Sequence, residues 1–231
     1  MNLDTLALKI RRRETPFYDK LYIFLKSAQT IEMPVIPLLY KFLYAQRQAG
    51  KLGWHWLSQN LYYIPMFKTR CQSFGKNLKV IGGIPLIYGN IKIIFGDNCS
   101  LHGTTTLSGA KVFDAPTLRV GNHSYLGYAL SISVGCDVTI GNDVMISNNV
   151  TIFSYDGHST NPAERHAVAP RESSKPIILE DNVWIGAKCS IMKGVVIGKN
   201  SVVASGSVVT QKVPPNSLVI GNPARVFPLM L

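Results

Sequence analysis

An aspartate, a glycine and a histidine, Asp156-Gly157-His158, open a polar stretch that continues through Asn161, Arg165 and His166. Imidazole titrates close to neutral pH and can take a proton from a hydroxyl as that hydroxyl attacks. A neighbouring carboxylate can orient the ring and stabilise its charged form. His158 therefore reads as a general base and Asp156 as its partner, with Asn161, Arg165 and His166 as contacts for an acceptor. The same residues also describe a surface-loop histidine beside a turn-forming aspartate. Further along, Lys212 and Arg225 could pair with ligand phosphates or be solvated surface charges. No metal is expected, because His102, His123, His158 and His166 do not fall at ligand spacing. Cys71, Cys99, Cys136 and Cys189 lack Cys-x-x-Cys spacing and read as free thiols of a reducing cytosol.

What must position His158 is a repeat. An aliphatic residue recurs every six positions at Leu179, Ile185, Ile191, Ile197, Val203 and Val209, and again at Val134, Ile140, Ile146 and Ile152. Val120, Leu126 and Ile132 form a third block, and Phe95, Leu101 and Leu107 a fainter one. Four residues after the aliphatic position comes a small or β-branched side chain, as at Val138, Val144, Val150, Cys189 and Ser201. Helices repeat at 3.6 and half-buried strands at 2, so neither fits. A six-residue period predicts one short strand plus a corner per hexad, three hexads per coil, and coils stacked by parallel pairing. Asn148-Asn149 and Asp181-Asn182 suit corners, since Asn tolerates the left-handed backbone region. A β-sandwich with fortuitous spacing is the alternative.

The frame is lost between Ile152 and Leu179, and the intervening segment contains His158. A long excursion from a rigid solenoid is where function is expected. A shorter break separates Leu107 from Val120, and the repeat is expected to end at Pro214-Pro215, which cannot donate ladder hydrogen bonds. The domain reading is a helical segment over 1–70, a β-helix over 71–220 with an excursion at 153–176, and a tail over 221–231.

The formal net charge is +11, and residues 1–70 supply +7 of it with eleven Lys/Arg against four Asp/Glu. Asp19 to Thr30 and Leu38 to Tyr63 have helical spacing, with breaks expected near Pro34/Pro37 and at Gly50 and Gly53. The apolar stretch Ile31 to Tyr44 is too short and too interrupted to span a bilayer. No secretory signal is read at the start. This basic, aromatic segment could rest on an anionic membrane surface, shape an acceptor cleft, or cap the open end of the solenoid. The pI of 9.6 finds no nucleic-acid-binding motif to accompany it.

Three stretches resemble the hexapeptide-repeat O-acetyltransferases, a family that includes galactoside, maltose and nodulation-factor acetyltransferases. They are Val138 to Ile152 running on to Gly157-His158, Asn182-Val-Trp-Ile-Gly-Ala187, and Val195 to Thr210 closed by Val213-Pro-Pro-Asn216 and Gly221-Asn-Pro-Ala-Arg-Val226. The resemblance implies a left-handed parallel β-helix, a homotrimer with sites between neighbouring prisms, and acetyl-coenzyme A as co-substrate. It makes His158 the catalytic base, places Trp184, Ala187, Ser205 and Arg225 against coenzyme A, and makes the Ala187 N–H an oxyanion donor. An asparagine and an aspartate that hold the sugar in galactoside enzymes appear here as Gly127 and Gly135. Asp156 and the Asn161-Pro162…Arg165 loop resemble instead members that acetylate surface polysaccharide sugars. The expected enzyme acetylates a sugar hydroxyl in polysaccharide or lipopolysaccharide synthesis, on a glycan acceptor that could be lipid-linked, in the cytoplasm or at the inner face of the membrane. The competing readings are an acyl carrier protein-dependent or amino-sugar N-acyltransferase, a non-catalytic trimeric scaffold, and a γ-type carbonic anhydrase.

Overall fold

The computed structural model describes residues 3–229. Residue contacts divide the chain into two compact units, Met1–Lys51 and Leu52–Leu231. The first unit holds α1 (Leu3–Arg12), α2 (Pro16–Gln29) and the start of α3 (Pro37–Ser58). Thr15 caps α2 by accepting from the Tyr18 N–H at 3.3 Å, and Pro16 sits at the first turn, where no N–H is needed. No residue of α1 or α2 is buried. The break expected near Pro34/Pro37 occurs, but α3 runs unbroken through Gly50 and Gly53, contrary to the sequence expectation. Glycine costs a helix only about 1 kcal/mol, too little to end a 22-residue element. A π-helical turn (Gln59–Tyr63) and α4 (Ile64–Lys68) follow. Among the described residues, no helix is long and apolar enough to cross a membrane.

The second unit is a parallel β-solenoid with three walls. The first wall stacks six strands, Ser73–Phe74, Lys92–Phe95, Thr117–Val120, Val138–Ile140, Ile177–Leu179 and Val196–Ile197. The second has eight, from Lys79–Ile81 through Met145–Ile146 and Trp184–Ile185 to Ser217–Gly221 and Ala224–Pro228. The third has six, including Thr106–Gly109, Thr151–Phe153, Ser190–Ile191 and Val208–Val209. Every named strand pairing is parallel except the last of the second wall, where Ser217–Gly221 meets Ala224–Pro228 antiparallel.

The hexad residues are the core. Phe95, Val120, Ile140, Leu179 and Ile197 pair in register up the first wall. Leu101, Leu126, Ile146, Ile185, Val203 and Val219 do so on the second. All are buried, so each coil closes one layer of a continuous apolar interior. Corners take the left-handed backbone where anticipated, at Asn149 (φ 57°) and Asn182 (φ 58°). Amides also ladder there, Asn182 donating to Asn200 at 3.0 Å and Asn200 to Asn216 at 2.9 Å. The stack continues past Pro214-Pro215, which overturns the expected end. Val213 bridges to Ile197 and Ser217–Gly221 joins the second wall, so the prolines occupy a corner and need no ladder N–H.

Candidate active site

The excursion leaves the corner between the third and first walls, because Thr151–Phe153 belongs to one and Ile177–Leu179 to the other. Its neck is closed by an antiparallel bridge between Tyr155 and Ser174 and by the Lys175 N–H donating to the Ser154 carbonyl at 2.9 Å. The segment between Gly109 and Thr117, the shorter break in the repeat, leaves the same corner two coils earlier. The two projections enclose a cleft of ≈ 450 Å³ whose wall includes Tyr88, Lys111, Tyr155, His158 and His166. The Arg171 guanidinium lies 5.2 Å from the centre of the Phe113 ring and ties one projection to the other.

His158 is exposed within this cleft. Its Nδ1 lies 2.8 Å from the Arg165 carbonyl oxygen. A carbonyl only accepts, so Nδ1 carries the proton in that bond, and Nε2 of the neutral ring is left with a lone pair. The expected partner, Asp156, plays a different part: its carboxylate pairs with the Lys193 ammonium. Lys193 sits one coil higher at the same corner, so the pair ties the base of the excursion to the solenoid. The reason is local geometry. The backbone N–H of Asp156 donates to the Ser173 carbonyl at 3.2 Å within the neck, while His158 lies further out, where the loop turns back at Arg165.

Asn161 accepts from the Ala163 N–H at 3.2 Å and caps the short helix Pro162–Glu164, a turn that leads into Arg165. Ser159 donates to Glu164 at 3.2 Å across it. Gly135 is packed under the loop. A Cβ there would lie 2.4 Å from Cβ of Tyr155. Burial, and secondarily Tyr88, raises the Tyr155 hydroxyl above its ordinary value, so it remains a neutral hydrogen-bond donor.

The expected coenzyme residues are distributed differently. Trp184 is 50% exposed on the outer face of the second wall, in register with Met145 and Val202. Arg225 is exposed on the last strand of that wall. Ala187 and Ser205 fall at the corner between the second and third walls. Lys212 lies at the corner of His158, just before Val213. One chain therefore gathers His158, Asp156, Asn161, Arg165 and Lys212 at one corner and holds Ala187 and Ser205 at another. Lys193 and Tyr155 were missed in the sequence. Lys193 belongs to a hexad outside the excursion, and only its place one coil above Asp156 marks it.

Residues 176–211 match the bacterial transferase hexapeptide family (six repeats). A putative acetyltransferase of Saccharomyces cerevisiae is 42% identical over 110 residues, 48% of this chain and 55% of that protein. A 2,3,4,5-tetrahydropyridine-2,6-dicarboxylate N-acetyltransferase of Staphylococcus aureus is 49% identical over 55 residues, 24% of this chain and 23% of that one. The matches thus span about half the yeast relative and a quarter of the staphylococcal one. Among solved structures, a hexapeptide-repeat containing acetyltransferase of Vibrio cholerae superposes with a TM-score of 0.52 and 29% identity, covering 80% of this chain and 90% of that one. The N-acyltransferase AntD of Bacillus cereus, in complex with dTDP-4-amino-4,6-dideoxyglucose and coenzyme A, gives a TM-score of 0.60 at 21% identity over 71% of this chain and 87% of its own, a likeness of fold. Residues 176–211 carry the transferase hexapeptide repeat, which bears out the hexapeptide-repeat acetyltransferase part of the resemblance.

Proposed function

We propose that this chain is an acetyltransferase that moves an acetyl group from acetyl-coenzyme A to a sugar hydroxyl, with His158 as general base. The acceptor oxygen attacks the thioester carbonyl carbon while its proton passes to Nε2 of His158. The tetrahedral intermediate then expels the coenzyme A thiolate, which takes the proton back from the imidazolium, leaving an acetyl ester and free coenzyme A. The observation that carries this reading is the bond from Nδ1 to the Arg165 carbonyl, which presets the tautomer needed for proton abstraction. No metal or covalent enzyme intermediate is required, because the thioester is already activated.

The Ala187 N–H is assigned as oxyanion donor, Trp184 and Ser205 as coenzyme contacts, and Lys212 and Arg225 as phosphate partners. Asn161 and Arg165 flank the acceptor. Because Ala187 and Ser205 stand at a different corner from His158, a site that uses all of them takes its parts from two copies, which supports the homotrimer. The basic first unit, with Phe17 and Phe24 exposed on α2, suits contact with an anionic membrane surface and a lipid-linked glycan. A polysaccharide or lipopolysaccharide precursor is the acceptor class proposed.

The staphylococcal N-acetyltransferase match favours a second reading in which an amine is the nucleophile; an amino sugar is the acceptor proposed for it. Coenzyme A release should be screened over free, nucleotide-linked and lipid-linked sugars, with acetyl and longer donors. A sugar product cleaved by alkaline hydroxylamine is an ester and supports O-acetylation. A resistant product supports the amide. Release with no sugar in any class overturns both.

A further inference from the structure

Outside the cleft, the second unit holds a chamber of ≈ 640 Å³ between the end of α3, the π-helical turn and the first coil. That volume lies within the roughly 300–1,000 Å³ typical of ligand pockets. Leu52, Trp56, Ile64, Val80 and Ile81 make its walls apolar. Into this lining the π turn sets Gln59, which is only 7% exposed, and neither its side-chain oxygen nor its nitrogen has a hydrogen-bond partner. A buried carboxamide without partners is destabilising, and π turns concentrate at functional sites. Asn60, Ile64 and Lys79 are shared with an adjoining trough of ≈ 430 Å³ that also touches Asn77, Asn98 and Ser100. An apolar chamber with one orphaned amide thus opens beside a polar trough with a cation at the junction. Lys79 lines both cavities and no Asp or Glu lines either, so the junction is complementary to an anion.

We infer that this is a binding site for an anionic lipid. The hydrocarbon tail lies against Trp56, Ile64 and Val80, an ester or amide carbonyl of the lipid accepts from the Gln59 Nε2–H, and the phosphate head lies at Lys79. A neutral detergent would waste Lys79, and a bare anion would leave both the chamber and the amide unfilled. The inference stands apart from the transfer chemistry, and the His158→Ala variant should retain the binding.

Titration calorimetry on the full-chain protein tests it with four probes below their micellar concentrations: 1-lauroyl-lysophosphatidic acid, dodecyl phosphate, monolauroylglycerol and glycerol 3-phosphate. One lysophosphatidic acid per chain should bind, at least tenfold tighter than monolauroylglycerol, with glycerol 3-phosphate silent. Gln59→Leu should lose about tenfold for lysophosphatidic acid and leave dodecyl phosphate unchanged. The exposed Lys79→Gln should bring lysophosphatidic acid down to the level of monolauroylglycerol. Saturable binding of glycerol 3-phosphate with equal strength, no saturable lipid binding, or lipid binding indifferent to both substitutions would overturn the site.

Discussion

The carbonyl oxygen of Arg165, seven positions on in sequence, lies 2.8 Å from Nδ1 of His158, and the segment between them forms the turn that holds the ring. The contact is made by backbone, so it depends on the path of the loop and not on the arginine side chain. Arg165→Ala should keep kcat within about twofold of wild type while raising the acceptor KM about tenfold, the size of one lost charged hydrogen bond. Steady-state kinetics with a reacting sugar makes the check. A large fall in kcat with KM unchanged would place the guanidinium in the chemistry itself.

Asp156 and Lys193 act through the loop. Asp156→Asn and Lys193→Met should each lower kcat about tenfold, and the double variant should be no worse than either single, since both break one ion pair. Losses that multiply would show that the two side chains have separate roles. An Asp156→Asn loss confined to high pH would instead return the carboxylate to His158.

The Tyr155 ring crosses the corner at Gly135, where a Cβ would collide with it. Gly135→Ala should displace the neck of the excursion and cut turnover at least tenfold, while the parallel coil keeps its circular dichroism and its thermal midpoint within a few degrees. Full activity would mean that the loop position does not govern the reaction.

Burial pushes the Cys71 thiol up to about 11, against a weaker opposing pull from Lys68. The fold favours the neutral thiol, so this contribution is fully present below the unfolded value near 9 and is lost as pH rises through about 11. Wild type should lose more stability than Cys71→Ala between pH 8.5 and 11 in urea denaturation. Parallel pH profiles for the two proteins would contradict it.

Sequence periodicity made the solenoid readable because the inward position of each hexad has a single requirement, an aliphatic side chain. Ile146 and Ile185 satisfy it and pair in register across two coils, with a long excursion between them. The first coil was harder to see, since an extra residue in the stretch of Gly82, Gly83 and Pro85 puts Ile87, which pairs in register with Leu107, seven positions after Val80 instead of six. The place of His158 in an excursion was legible as a frame break. Its partner was not, because adjacency in sequence favoured Asp156, whereas the loop's return brings the Arg165 carbonyl to the ring. Lys193 was hidden for the complementary reason: stacking makes it Asp156's neighbour across 37 positions. Gly50 and Gly53 misled because a helix tolerates a local cost that the remaining residues offset.

Coenzyme A release by His158→Ala, measured on protein whose acetyl-coenzyme A affinity and assembly state match wild type, tests the central claim most directly. Loss of a positioned base should lower kcat about 10²–10⁴-fold, with the residual rate no longer falling at acidic pH. Turnover within a few fold of wild type would contradict the assignment of the ring as the proton acceptor.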